Sequence, residues 1–299
     1  VIKTLIDVPN VKERLDLISI QNLYQEVLSL SDQSIINAKN AFNALKHSEK
    51  FKHFLEMALK IINTMSGTND KKRNRSGLRG FKLGFINQFT TTDERKLNLE
   101  GFFIAANSDE SIKGYLNDIS LFLNLEKFDP KGISALFQDL NKKYVDIQNE
   151  FNALKTKLNG IDITDFDDTE YENIDIIDPV KDTEFLVSRF EKFKVNQGYK
   201  IPQILEDFKK DCENMYEVME YFDECQVGKK DKYLLYLENA KDFINLIKEI
   251  HNAMVDAGNR IEQKAERERM KSLRSQKSLK NANKGQNNDQ QSPTDPQQQ

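Results

Sequence analysis

The stretch ISALFQDLNKKYVDIQNEFNALKTKL, from Ile133 to Leu158, decides the fold class. Its large apolar residues follow one another at alternating steps of four and three positions. They are Ile133, Phe137, Leu140, Tyr144, Ile147, Phe151, Leu154 and Leu158. This alternation is typical of the a/d seam of a coiled coil or of a long helical hairpin. At about 1.5 Å per residue, the pattern predicts a helical arm roughly 40 Å long.

The same alternation returns near the C-terminus, at Phe243, Ile247, Ile250, Met254, Ala257 and Ile261. We expect this second long helix to lie against the first, and the two to enclose a helix of similar character around residues 204–222. Only six prolines occur in the 299 residues, and three of them lie in the first and last ten positions. This distribution is typical of an all-α chain, because proline interrupts helices. The sequence therefore predicts an elongated all-α domain with a long coiled-coil-like arm.

A third apolar stripe lies in the segment SEKFKHFLEMALKIINTM, which begins at Ser48. Serine is a favourable N-cap residue, because its hydroxyl can accept a hydrogen bond from a free amide of the first turn. The stripe consists of Phe51, Phe54, Leu55, Ala58, Leu59, Ile62 and Met65. This spacing predicts a buried helix that ends at Gly67.

Two segments are expected to lie outside the packed core. Residues 161–184 contain ten carboxylates and one lysine, which predicts a solvated connection because like charges repel one another. Residues 271–299 are expected to form a disordered tail that is basic at its start and rich in Asn and Gln. Between Arg260 and Lys284 there are nine Lys or Arg residues and three Glu residues. These cations either suit the C-terminal dipole of a soluble helix or contact an acidic filament or membrane surface.

The composition argues against several classes of function. The net charge is -4. The polar, basic loop after Gly67, which contains KKRNRSGLRG, lacks the interleaved aromatic residues of a nucleic-acid binder. None of the three histidines stands four residues from another or beside a cysteine, so we expect no metal site. The glycines of GLRGFKLG match neither a phosphate loop nor a dinucleotide fingerprint. We therefore expect no cofactor and no enzymatic activity. The apolar runs are too short to span a membrane, and two cysteines fit a cytoplasmic protein.

The order of these segments resembles the formin homology 2 domain, the actin-assembly module of the formin family. The helix that begins at Ser48 leads through a polar loop to GLRGFKLGFINQF, and the heptad arm follows. In the family, a helix with Ser-x-x-Phe and Leu-x-x-x-Leu leads to a Gly-Asn-Tyr-Met-Asn-like end and then to Gly-Phe-Lys-Leu. The matching positions here are Ser48, Phe51, Leu55, Leu59, Asn63, Met65, Gly67, Gly80, Phe81, Lys82 and Leu83. The resemblance covers roughly residues 2–274.

The resemblance implies a division of the chain. Residues 1–47 correspond to the late part of the knob, residues 48–125 to the post-like and actin-contact region, and residues 126–270 to the coiled-coil arm and C-terminal helices. The lasso, the linker and the early knob of the family would lie upstream of Val1. In the family each subunit's lasso wraps the post of the other subunit, so the resemblance implies a homodimer for the complete domain.

The resemblance also assigns candidate site residues. It implies that Lys82 contacts actin near the barbed end, with Phe81 and Leu83 buried beside it and flanking glycines that let the backbone present the cation. The arginines expected to add positive charge are Arg73, Arg75 and Arg79. The positions expected in the post, which receives the partner's lasso, are Asn63, Met65, Gly80, Phe81 and Leu83.

Two functions follow from the resemblance and stay open at this point. The first is an actin-binding module that nucleates filaments and associates processively with barbed ends in the cytoplasmic actin cytoskeleton, with profilin-actin recruited through an upstream segment. The second is a structural coiled-coil scaffold that keeps the formin-like fold but has lost actin assembly activity. Ile62 and Ser66 would permit this loss, because they replace a glycine and an asparagine of the family pattern.

Overall fold

The computed structural model describes residues 9–65, 79–90, 112–158, 179–222 and 231–286. Its α-helices are α1 (Val11–His47), α2 (Glu49–Met65), α3 (Ile112–Ile119), α4 (Pro130–Lys157), α5 (Pro179–Phe193), α6 (Lys200–Tyr221) and α7 (Lys232–Gln286). The other helical segments are two 3₁₀ helices, Leu83–Thr90 and Ser120–Leu125, and a π-helix, Lys194–Gly198. Every regular element in the described ranges is helical, which confirms the predicted all-α class. None of these helices is both long and apolar enough to cross a lipid bilayer.

The chain forms two compact units, and each combines two separate stretches of sequence. Unit 1 comprises residues 1–48 and 118–248, and unit 2 comprises residues 49–117 and 249–299. Within unit 1, α1 packs against α4, α5 and α6. The buried residues of α1 recur at helical spacing along nearly its whole length: Leu17, Ile20, Tyr24, Val27, Ser31, Ala38, Ala41, Phe42 and Leu45. One continuous face of α1 is therefore part of the core of unit 1.

The predicted seam of α4 is buried throughout. All eight seam residues are at most 9% exposed, whereas most residues between them face solvent. Their aromatic rings pack on rings of the two following helices: Phe137 on Phe208, with centroids 5.3 Å apart, and Phe151 on Phe190, with centroids 4.3 Å apart. Such pairs add to the gain from burying apolar area, because offset and edge-on rings attract one another.

The sequence predicted part of the cover of this seam. We expected the C-terminal helix to lie against the seam helix, and the two to enclose the helix around residues 204–222. The ring contacts of the seam are with α5 and α6, and Phe208 of α6 also packs on Tyr233 of α7, with centroids 6.4 Å apart. The start of α7 meets the start of α4 through a hydrogen bond between the hydroxyls of Tyr233 and Ser134. The predicted face is thus confirmed, and so is the contact of α6 with both long helices, whereas the cover by α5 was not predicted.

A cluster of four rings ties α1 to the first part of α7. Phe42 packs on Phe122, Tyr236 and Phe243, with centroid distances of 5.2, 5.9 and 5.6 Å. All four residues are almost completely buried. The cluster joins residues distant in sequence, and it explains why the first and last segments of unit 1 belong to one core.

The C-terminal helix extends beyond its predicted end. We expected disorder from residue 271 onward, but α7 continues to Gln286. From Glu262 to Gln276 every residue is exposed, so packing does not explain the helix. No Gly or Pro occurs between Gly258 and Gly285, and the segment is rich in Glu, Lys, Arg, Gln and Leu, which have high helix propensity. Residues 287–299 lie outside the described part of the chain.

The predicted acidic connection ends earlier than expected, because residues 179–184 lie in the first turns of α5. Asp182 is buried rather than solvated, and it forms an ion pair with Arg14 of α1. Beside it, Asn10 donates a hydrogen bond of 2.9 Å to the hydroxyl of Thr183. A buried carboxylate is tolerated only when a partner compensates its lost hydration. Residues 159–178 of the predicted connection lie outside the described part.

The two partners of this ion pair differ in their access to water. The Asp182 side chain is 6% exposed and the Arg14 side chain 27% exposed, and Oδ2 of Asp182 has no hydrogen-bond partner among the described residues. We predict that Arg14→Met lowers the free energy of unfolding by roughly 3–5 kcal/mol, because it leaves a buried charge unpaired. Asp182→Asn should cost less, roughly 1–2 kcal/mol, because Arg14 can be hydrated. Urea denaturation measures the free energy of unfolding of both variants. A larger decrease for Asp182→Asn than for Arg14→Met would contradict this account.

The core of unit 1 requires the small size of the glycine at position 198. An added Cβ would lie 2.8 Å from both Cε2 and the hydroxyl oxygen of Tyr144, whose ring is buried and packs on Phe193 at 6.3 Å. The ring cannot withdraw without disturbing the seam. At Gly132, by contrast, an added Cβ would meet only the carboxylate of the exposed Asp129, at 2.6 Å.

We therefore predict opposite effects of the same substitution at two helical glycines. Gly198→Ala should lower the free energy of unfolding by roughly 1–3 kcal/mol, because overpacking displaces a buried ring. Gly132→Ala should be neutral or stabilise by up to about 1 kcal/mol, because the Asp129 side chain can rotate away and alanine favours the helix. Thermal unfolding followed by circular dichroism compares the two variants, and an increased melting temperature for Gly198→Ala would refute the packing argument.

Candidate functional site

The segment Arg79–Ile86 of unit 2 holds the predicted cation, and the backbone fixes its position. The 3₁₀ helix Leu83–Thr90 begins immediately after Lys82, and the amide of Phe85 donates a hydrogen bond of 3.0 Å to the carbonyl of Lys82. Leu83 is 2% exposed and Ile86 is fully buried. The two apolar residues therefore anchor the segment, and the backbone of Lys82 is held at its edge.

The side chain of Lys82 is exposed, as expected, and so is that of Arg79. Phe81 is only half-buried, contrary to the expectation that it lies in the core. Its ring packs on that of Phe85, with centroids 6.4 Å apart, and Phe85 is itself partly exposed. The segment thus presents two cations beside a partly exposed aromatic pair. Arg73 and Arg75, also predicted to add charge, lie outside the described residues.

The backbone at position 80 does not require glycine. We expected the flanking glycines to let the backbone turn so that Lys82 is presented. In the structure an added Cβ at Gly80 would meet no atom within 4 Å, and its φ angle lies outside the left-handed region that favours glycine. Leu83 and Ile86 anchor the segment that carries the cation. The expected role of Gly80 in docking the lasso stays a prediction.

The remaining predicted residues lie at the end of α2. The first half of α2 contributes Phe51, Phe54 and Ala58 to the core of unit 2. Phe54 also packs on Tyr115 of α3, with centroids 6.1 Å apart. Asn63 is half-buried near the C-terminal end of the helix. Met65 is the last residue of α2, and its side chain lies outside the described part. The helix predicted from Ser48 is confirmed as far as Met65, and Ser48 is the residue between α1 and α2. Three other residues of its predicted apolar stripe, Leu55, Leu59 and Ile62, are only half-buried. The predicted end at Gly67 lies outside the described residues.

The described residues offer little for covalent or metal chemistry. They contain no group of three His, Cys, Asp or Glu side chains that could hold a metal ion. Burial raises the pKa of the Cys212 thiol, and the neighbouring carboxylates Asp211 and Glu213 raise it further. Burial likewise raises the pKa of Tyr236 well above its usual value, and its hydroxyl lies 3.3 Å from Sδ of Met215. Both groups stay protonated at neutral pH, so neither is an activated nucleophile.

A concave surface between α1 and α6 was not predicted from the sequence. Two clefts of about 390 and 480 Å³ lie there and share three lining residues, Lys39, Asp211 and Asn214. Nζ of Lys39 lies 2.8 Å from Oδ1 of Asp211. The lining residues come from helices more than 150 positions apart in sequence, so no local motif could reveal the cleft. Its mixed charges and amides provide no acid–base pair, and we assign no reaction to it.

No protein-family model matches the chain, and no curated protein matches it significantly.

The geometry of this segment predicts different effects on stability for substitutions at two positions, Leu83 and Gly80. We predict that Leu83→Ala lowers the free energy of unfolding by roughly 2–5 kcal/mol, because it leaves a cavity beneath the segment. Gly80→Ala should change it by less than about 0.5 kcal/mol, because the added methyl group meets no other atom. Chemical denaturation of both variants tests this, and a strongly destabilised Gly80→Ala protein would restore the original role of that glycine.

Proposed function

We propose that this chain is the actin-binding module of a formin, which nucleates actin filaments and associates processively with their barbed ends. The single observation that carries the proposal is the placement of Lys82. The residue stands in Gly-Phe-Lys-Leu, the sequence that in formins presents an actin-contacting lysine, and its side chain is exposed beside the buried Leu83.

The physical setting of Lys82 supports a role in binding. Its backbone is fixed by the hydrogen bond from Phe85, so little backbone freedom would be lost when a partner binds. The side chain is exposed and can reach a carboxylate on a partner surface. Arg79, exposed three residues earlier, adds a second cation to the same segment. A charge-assisted hydrogen bond from such a lysine typically contributes roughly 1.5–3 kcal/mol to binding.

Lys82→Ala should therefore lower the affinity for filament barbed ends by about ten- to a hundredfold, if the contact is worth roughly 1.5–3 kcal/mol. The affinity is measured from the concentration dependence of barbed-end elongation on preformed actin seeds. The fold should be unchanged, because the substituted side chain is exposed.

Lys131→Ala is the matched control, because Lys131 is an exposed lysine in the first turn of α4 in unit 1. This variant should behave like the parent protein. Equal affinities of the Lys82 variant and the parent would remove Lys82 as the contact. If a longer form of the protein that includes the upstream lasso also had no effect on actin at any concentration, the scaffold function would be favoured instead, in which the formin-like fold no longer assembles filaments.

A further inference from the structure

One π-helical turn, Lys194–Gly198, joins α5 to α6, and the backbone stays helical through Tyr199. The segment from Arg189 to Lys200 around this turn is called the corner below. The amide of Tyr199 donates a hydrogen bond of 3.1 Å to the carbonyl of Lys194. Gly198 lies against the ring of Tyr144, and Phe193 packs on Tyr24 and Tyr144, with centroids 6.5 and 6.3 Å away. Buried aromatic residues therefore pack against the inner face of the corner and hold it in place. π-helical turns of this kind occur frequently at functional sites.

The outer surface of this corner is apolar at its centre. Val195 is 69% exposed and Tyr199 is 61% exposed. These values are the highest among the large hydrophobic residues in the described part of the chain. The ammonium group of Lys200 lies 5.6 Å from the centroid of the Tyr199 ring, a cation–π contact that restrains the ring while it remains exposed.

Positive charge surrounds the apolar pair. Between Arg189 and Lys200 the sequence contains four cations and one carboxylate. That carboxylate, Glu191, lies within 3.5 Å of the ammonium groups of Lys194 and Lys155, so its charge is compensated. Lys192 and Lys200 are exposed. The corner is thus a basic surface with two protruding apolar side chains.

We propose that this corner docks on an anionic membrane surface. Val195 and Tyr199 would enter the boundary between headgroups and acyl chains, and the exposed Lys192 and Lys200 would lie over anionic headgroups. Tyrosine suits this boundary because its ring is apolar and its hydroxyl remains in contact with water. Each lysine near an anionic surface strengthens binding by about fivefold.

Two observations favour a lipid surface over an acidic protein surface. The cations nearest the apolar pair are all lysines, and lysine is depleted in protein–protein interfaces but common at anionic membranes. The apolar pair lies on an exposed surface, whereas the clefts found in unit 1 are lined by other residues. The proposal does not depend on actin binding, because it involves a different surface in unit 1.

Cosedimentation of the chain with phospholipid vesicles tests the proposal. The vesicles are phosphatidylcholine alone or phosphatidylcholine with about a quarter phosphatidylserine, a content that gives a negative surface potential. Binding is expected only to the anionic vesicles, and raising the salt concentration should weaken it because screening shortens the range of the lysine charges. Val195→Ser and Tyr199→Ser should each weaken it by about tenfold, because each removes buried apolar area. Lys200→Glu should weaken it by more than fivefold, because it reverses a charge.

Tyr221→Ser is the matched control, because Tyr221 is 59% exposed but lies in an acidic setting beside Glu220. This variant should bind the vesicles as the parent does. Circular dichroism of each variant verifies that the fold is retained.

The chain contains no tryptophan, so a single introduced tryptophan reports insertion directly. The fluorescence of Val195→Trp should shift to shorter wavelength with anionic vesicles, and that of Tyr221→Trp should not. No binding to anionic vesicles would overturn the proposal. So would binding in which neither the serine variants nor the tryptophan at position 195 respond, since contact with the acidic surface would then be electrostatic only. Equal affinity of the parent for soluble polyglutamate would point to an acidic protein as the partner and would likewise overturn it.

Discussion

The burial of the α4 seam within its own chain is the constraint on which unit 1 depends. Eight apolar residues repeat along one face of this helix, and a single helix cannot remove such a face from water. Contacts from α1, α5 and α6 cover it, and the ring pairs with Phe190, Phe193 and Phe208 occur where its aromatic residues meet these helices. The position of the first helix, the need for glycine at Gly198 and the clamped corner beside it all follow from this packing. Because helices of the same chain bury the seam, it is not free to form a coiled coil with another chain. A scaffold function that needs such a coiled coil therefore has little support.

Much of the fold could be predicted from the sequence, and the exceptions have physical causes. Periodicity identified the buried face of α4, and burial in the structure confirms it from Ile133 to Leu158. Periodicity identified α6 as a neighbour of this face but not α1 and α5, because many amphipathic helices can cover the same face. Charge density predicted a solvated stretch up to residue 184. Asp182 is instead buried in the first turn of α5, because its ion pair with Arg14 compensates the lost hydration of its carboxylate. Composition predicted disorder after residue 270, whereas high helix propensity extends α7 to Gln286.

The candidate site was less predictable than the fold, because its features depend on atoms that are distant in sequence. The sequence identified Lys82 through its local motif, and the structure adds that Leu83 and Ile86 anchor the segment. The sequence could not show at which position glycine is required for packing, because this depends on the surrounding atoms. Gly80 has open space beside it, whereas Gly198 lies against a buried ring. The basic corner at Val195 and Tyr199 has no motif, and only the exposed fractions of its side chains reveal it.

The central functional claim is that the chain acts at the barbed ends of actin filaments. Imaging of single filaments growing from labelled seeds tests it most directly, because it resolves the two ends of each filament. Addition of the chain should change the elongation rate at barbed ends, with saturation as its concentration rises, and should leave pointed-end growth unchanged. Unchanged growth at both ends over the whole concentration range, or equal changes at both ends, would contradict the account.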